Sequence, residues 1–572
     1  MATRAKGPKS AQRPSSSSGS SSGRAARFAA RVADEANLSL PVHWSKLTPV
    51  SFLERSAVVF ADKTAVIHQD QRYTYAEFRR RVHRVAGALR RAGIEPGDRV
   101  AYLAPNIPAM LEAHFAAPLA GALLVTINTR LNSHEIAYIL NHSEAKLLVV
   151  DSELASLIAP VASRLKATRR FVIVRDTAAE SPLEGDDYED FLATGEDEFA
   201  DFRLDDENDS ISINYTSGTT GKPKGVVYTH RGAYLNALGV TELLEVQSRS
   251  AYLWVVPLFH CNGWCFPWGV TAMGATHVCL RSPDPQRILD AIRTHHVTHF
   301  CAAPTVLSSL VNHPAARDFR LGHPLRVATG GAPPSPAVIR AGERFGMEIV
   351  HLYGLTETYG PFTFCEWREE WNAKELPERA RIKALQGVPH VLAGTGLRVV
   401  DAKMRDVPAD GATIGEVVMR GNIVMKGYYK DPKGTANAFR GGWFHSGDLA
   451  VLHPSGYLEV RDRKKDIIIS GGENISTQEV EKAICDHPDV LEAAVIAVPD
   501  EKWGEVPKAF VTLQPGAQAA ERDIVEFCRQ KLAHFKCPQH VTFGPLPKTS
   551  TGKIKKFELR EREWAGYDKR IN

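Results

Sequence analysis

The stretch Tyr215-Thr216-Ser217-Gly218-Thr219-Thr220-Gly221-Lys222-Pro223-Lys224-Gly225 decides how the rest of this chain is read. It follows a short β-type run, Ile211-Ser212-Ile213-Asn214, so a strand delivers it. Gly218, Gly221 and Gly225 let the backbone come close to a ligand and aim amides at it. The hydroxyls of Thr216, Ser217, Thr219 and Thr220 add donors, and Lys222 and Lys224 add positive charge. A polyphosphate is the ligand such a loop holds best. It is not a Walker loop, because Pro223 stands where that motif needs Ser or Thr.

Upstream of the loop, short β runs alternate with amphipathic helices. Thr64–Gln69 and Arg72–Tyr73 read as a hairpin, and Thr74 with Glu77 reads as a capping box opening a helix. Phe78, Val82, Val85 and Leu89 recur along that helix at the spacing of one buried stripe. Strands are expected at 100–103, 123–127 and 147–150, with helices near 110–120 and 134–141 between them. The expected fold is α/β: a large N-terminal domain of layered, partly parallel sheets with helices. After Arg461 the pattern changes to a compact α+β unit of domain size. It opens with a β run at 467–469 and a second capping box, Ser476 with Glu479. The organisation expected is a tail over 1–35, a large domain over 36–461 and a small mobile domain over 462–572.

Composition narrows the function. The net charge of +4 comes from the tail: residues 1–33 hold seven basic and no acidic residues, leaving 63 basic against 66 acidic beyond it. No concentrated basic face points to nucleic acid. The Ser-rich tail reads as a solvated disordered segment or as an organellar transit peptide. The expected compartment is the cytoplasm, or a mitochondrion or plastid on the second reading. No apolar run is long enough to span a bilayer. Eight cysteines lie scattered without a paired framework, which fits a reducing compartment. His260, Cys261 and Cys265 lack the second cluster a zinc site needs.

Further motifs follow in order. Gly330-Gly331-Ala332-Pro333-Pro334 comes after a β run and permits close approach to a ligand. In Tyr353-Gly354-Leu355-Thr356-Glu357-Thr358, Glu357 is an oxygen donor suited to Mg²⁺ on nucleotide phosphates. Asp448, in Trp443-Phe444-His445-Ser446-Gly447-Asp448, can accept hydrogen bonds from both hydroxyls of a ribose. Asp462-Arg463-Lys464-Lys465-Asp466 is a charged run, Gly471-Gly472-Glu473-Asn474 a glycine turn, and Pro547–Lys553 a polar turn ending in lysine.

Together these motifs resemble the adenylate-forming superfamily, over roughly residues 45–560, and most of all its fatty-acyl and aryl acid–CoA ligases. The resemblance implies a two-step reaction with ATP, Mg²⁺ and coenzyme A. An acid is first adenylated, then passed to the thiol. It also implies roles. Lys553, Thr216, Thr220 and Glu357 serve adenylation, with Glu357 and Thr216 at the metal. Thr356 contacts the α-phosphate and Tyr353 stacks on adenine beside Gly354. Gly331, Ala332 and Pro333 form the adenine edge, while Asp448 and Arg463 hold the ribose. Lys465 is the hinge, and Gly471 and Gly472 line the pantetheine tunnel. His260, Cys261, Trp264 and Gly330 border the acyl group, with Phe266 and Trp268 as further candidate walls. Peptide-synthetase domains for α-amino acids carry an aspartate where His260 stands, so an amino-acid substrate is disfavoured. Short or medium-chain fatty acids and benzoate-like acids fit. The partners expected are the acid, ATP and coenzyme A, in a monomer or homodimer. The alternatives are a carrier-protein acceptor and a non-catalytic nucleotide-binding scaffold.

Overall fold

Thr64–His68 and Gln71–Thr74 pair antiparallel. Thr74 and Glu77 then satisfy each other's free amides at the start of the helix Tyr75–Arg91. A cap of this kind contributes about 1 kcal/mol. The stripe Phe78, Val82, Val85 and Leu89 is fully buried, as its helical spacing requires. The computed structural model describes residues 44–216, 223–331, 334, 336–470, 473–500, 502–549 and 552–565. The basic tail, Ser217–Lys222 of the phosphate loop (Thr220 included), Ala332, Pro333, Gly471 and Gly472 lie outside the described residues.

From Leu47 onward the chain forms one compact unit built on two large sheets and two smaller ones. In the first large sheet, Leu123–Thr126, Arg99–Leu103, Leu147–Asp151 and Arg170–Val174 run parallel beside Ser210–Thr216. The second runs parallel through Thr64–His68, Thr276–Val278, Ala251–Leu253, His299–Ala302, Leu325–Thr329 and Met347–Leu355. Parallel strands are covered on both faces, which is why Leu147–Asp151 is buried at every position. Antiparallel strands Gly396–Val400, Gly415–Arg420, Phe444–Leu452 and Leu458–Arg463 make a third sheet. The fourth joins Glu473–Ile475, Ile468–Ser470, Gly504–Leu513, Val490–Asp500 and His540–Phe543. It has its own core, including Ile468, Val480, Ile484, Val495, Val511 and Ile524.

Two local expectations are corrected. The strand expected over 467–469 runs Ile468–Ser470. The second capping box is only half formed: Ser476 Oγ accepts from the Glu479 amide at 3.2 Å, but the Glu479 carboxylate is taken by Lys536 Nζ at 2.8 Å. A nearby ammonium competes better for a carboxylate than a neutral amide does. No helix among the described residues is long and apolar enough to cross a membrane.

Candidate active site

The phosphate-loop sequence is a hairpin connection. Ser210–Thr216 and Lys224–Thr229 pair antiparallel, with Thr216 opposite Lys224. Lys224 therefore sits in a strand. Its Nζ lies 4.5 Å from the centre of the Tyr428 ring and 3.4 Å from Asp431 Oδ2.

The strand Met347–Leu355 turns into Gly360–Phe364 through Thr356–Thr358. Only glycine fits at 354, because any side chain would overlap the carbonyl oxygen of Gly360. That close turn fixes Glu357 and Thr356. Met425 N donates to the Glu357 carbonyl at 2.8 Å, and Tyr428 Oη donates to Glu357 Oε1 at 2.8 Å. Tyr228 Oη donates to the Thr356 carbonyl at 2.7 Å, while Thr356 Oγ1 lies 3.3 Å from Cys261 Sγ. Tyr428 has no motif around it, so sequence reasoning missed it. Its ring meets the phosphate-loop lysine and its hydroxyl meets the candidate metal ligand.

Asp448 is buried, and both its oxygens are engaged. Arg463 Nε lies 2.8 Å from Oδ1, and Tyr353 Oη donates to Oδ2 at 2.7 Å. Tyr353 is thus anchored at its hydroxyl, which fixes its ring. Burial and the Asp448 charge raise the Tyr353 pKa well above that of a free phenol.

Lys553 comes from the far end of the chain to the same cleft. The Arg463 cation, followed by burial, pushes its pKa down to about 8, while Asp448 and Asp466 oppose the shift. The Lys553 side chain is open to the cleft, so water moderates these charges. Burial and then the Lys553 charge push His260 down to about 4, leaving it neutral at pH 7. Burial pushes the Cys261 thiol up to about 12, so it is not a nucleophile. His260, Cys261, Thr356 and Tyr215 share a cavity of about 40 Å³.

Trp264 is buried in a left-handed backbone conformation, φ 56°. Its indole fills the space over two glycines: Cη2 lies 3.3 Å from where a Gly330 side chain would begin, and Cδ1 lies 3.1 Å from that point on Gly360. The other two candidate walls are core. Phe266 stacks on Tyr252 with centroids 5.0 Å apart, and Trp268 Nε1 donates to the His114 carbonyl at 2.9 Å. Among the described residues, nothing lies within 4 Å of where a Gly331 side chain would begin, so its approach is open.

Lys465, the expected hinge, follows the last strand of the third sheet and precedes the first of the fourth. Its neighbours are tied down. Asp462 Oδ2 accepts from Thr477 N at 2.5 Å, and Asp466 pairs with Arg560.

A layered α/β body that carries Thr216 at the end of one strand, Glu357 just past another and a buried Asp448 within the charge field of Lys553 has the make-up of an adenylate-forming enzyme. Residues 53–429 match the model of the AMP-binding enzyme family, and residues 479–553 match that of the AMP-binding enzyme C-terminal domain. An acetate–CoA ligase of Humulus lupulus is 47% identical over 541 residues, covering 91% of this chain and 95% of that protein. A peroxisomal acetate/butyrate–CoA ligase of Arabidopsis thaliana is 45% identical over 547 residues, covering 91% and 95%. The crystal structure of an anthranilate CoA ligase in complex with anthranoyl-AMP superposes with a TM-score of 0.79 at 27% identity, covering 92% of this chain and 98% of that one. The chain belongs to the AMP-binding enzyme family, as an acid–CoA ligase that works through an acyl-adenylate.

Proposed function

We propose that the acid is small, of about two to five carbons and without an α-amino group. The observation that supports this is the Trp264 indole seated over Gly330 and Gly360, at the border that the family resemblance assigns to the acyl group. A neutral His260 offers no charge partner for an ammonium. The acetate and butyrate named for the two relatives agree with this size.

In the first half-reaction a carboxylate oxygen attacks the α-phosphorus of ATP, and pyrophosphate leaves with the broken bond's electrons. Lys553 neutralises charge gathering between the carboxylate and the α-phosphate, with Thr216, Thr220, Lys222 and Thr356 donating to the phosphates. Charge placed beforehand at the transition state is the main catalytic resource in phosphoryl chemistry. The Glu357 carboxylate fits Mg²⁺, since Tyr428 occupies one lone pair and leaves hard oxygen donors for a cation. Glu357 and Thr216 would hold the ion, which neutralises phosphate charge. Asp448, Arg463 and Tyr353 orient the nucleoside.

In the second half-reaction the thiol sulfur of coenzyme A attacks the acyl carbon, AMP leaves and the thiol proton passes to solvent. We place the domain boundary at Asp462, between the two matched family segments. The lobe beyond it turns about Lys465, withdrawing Lys553 and bringing Gly471 and Gly472 to the thiol. Lys465→Pro is expected to slow thioester formation from supplied acyl-adenylate more than adenylation. Equal losses would count against the hinge.

A panel of acids from acetate to octanoate, with benzoate and glycine, scored by pyrophosphate release, tests the substrate class. Acetate to pentanoate should lead. Preference for octanoate or glycine would overturn the reading, and thioester formed only on a carrier protein would move the acceptor.

A further inference from the structure

At Gly552 the Lys553 turn lies against Thr305 of the large lobe. Thr305 opens the helix Pro304–Val311, immediately after the strand His299–Ala302. A side chain added at Gly552 would overlap Thr305 Oγ1 and would lie 3.4 Å from Thr305 Cβ and 3.7 Å from Ala303 Cβ. Thr305 Oγ1 is buried and has no hydrogen-bond partner among the described residues. The hydroxyl is therefore packed against the turn rather than bonded to it.

The turn is built from its own bonds. Thr549 N donates to the Lys553 carbonyl at 2.7 Å and Lys553 N to Thr549 Oγ1 at 3.0 Å. Gly552 N donates to the Thr549 carbonyl at 3.0 Å and Lys555 N to the Pro547 carbonyl at 2.8 Å. These bonds all join described residues of the turn, Pro547 to Lys555, to one another. Gly552 has φ +82°, a conformation in which an L side chain is strained. Two reasons for glycine thus coincide, and only one of them depends on the position of the lobe.

We propose that Gly552 is a positioning residue whose bare Cα seats the Lys553 turn on Thr305, and that this seat is required for adenylation alone. The inference rests on the two-position account of the small lobe given above. With Gly552 flush against Thr305, the next residue, Lys553, reaches the charges of Arg463 and Asp448. A methyl group at 552 would hold the tip away from Thr305 and keep the ammonium short of the α-phosphate. With the lobe turned for thioester formation the turn leaves Thr305, and the same methyl group meets nothing there.

The test compares Gly552→Ala, Gly552→Ala with Thr305→Ala, and Lys553→Ala in both half-reactions. Adenylation is followed by pyrophosphate release and thioester formation from supplied acyl-adenylate. Gly552→Ala should lose at least thirtyfold in adenylation and less than threefold in thioester formation, the second rate also reporting correct folding. Removing the Thr305 hydroxyl in the double variant should recover at least tenfold of adenylation. A Gly552→Ala enzyme that adenylates normally overturns the proposal, as does a loss that the double variant fails to relieve, which would assign the effect to backbone strain. If Lys553→Ala lowers both half-reactions equally, the two-position account fails, and the double-variant rescue still reports on the Thr305 contact.

Discussion

Asp448 and Arg463 stand opposite each other in the antiparallel pairing of Phe444–Leu452 with Leu458–Arg463, and Arg463 Nε lies 2.8 Å from Asp448 Oδ1. The two candidate ribose contacts are thus joined before any nucleotide arrives, and Tyr353 is tied to the same carboxylate. Asp448→Asn removes the charge while keeping the shape. The KM for ATP in pyrophosphate release should rise about tenfold, the equivalent of about 1.4 kcal/mol. An unchanged KM would place the nucleoside elsewhere.

The proposed role of Lys553 at the phosphates requires its protonated form, and Arg463 pushes its pKa down to about 8. Below that value the ammonium is present; above it, the free enzyme loses the charge as pH rises. The kcat/KM for adenylation should fall through pH 8, approaching tenfold per unit. The limb in kcat should lie higher, because bound phosphates favour the ammonium. Arg463→Gln should move the kcat/KM limb upward. A flat profile to pH 9.5 would contradict the assignment.

Trp264→Ala should open the acyl site. Burying one methylene is worth about 0.8 kcal/mol, or roughly fourfold, so hexanoate should gain at least tenfold in kcat/KM relative to butyrate. An unaltered ranking of acids would show that Trp264 does not set chain length.

Tyr428→Phe removes the hydroxyl that holds Glu357 Oε1 and keeps the ring beneath Lys224. A hydrogen bond to a charged group is worth about 1.5–3 kcal/mol. The free Mg²⁺ needed for half-maximal pyrophosphate release should rise about tenfold, with the thermal midpoint little changed. An identical Mg²⁺ titration would remove Tyr428 from the site.

Local signals were legible in the sequence because their physics is local. The capping box of Thr74 and Glu77 and the stripe Phe78, Val82, Val85 and Leu89 depend on residues a few positions apart. The strand ahead of the phosphate loop was likewise readable. Where a distant group competed, the reading failed: Lys536 took Glu479 from its cap, 57 residues away in sequence. Phe266 and Trp268 read as candidate walls because nothing in their neighbourhood reveals Tyr252 or His114.

The reaction class was legible in the sequence alone, through ordered motifs that resemble the adenylate-forming superfamily. Only the tertiary structure decided that Tyr428 holds Glu357, that Trp264 lies over Gly330 and Gly360, and that Gly552 rests on Thr305. Those relationships join residues 66 to 247 positions apart. Contacts of that range are set by how sheets and lobes pack, and packing leaves no periodic or motif-like trace in either segment alone.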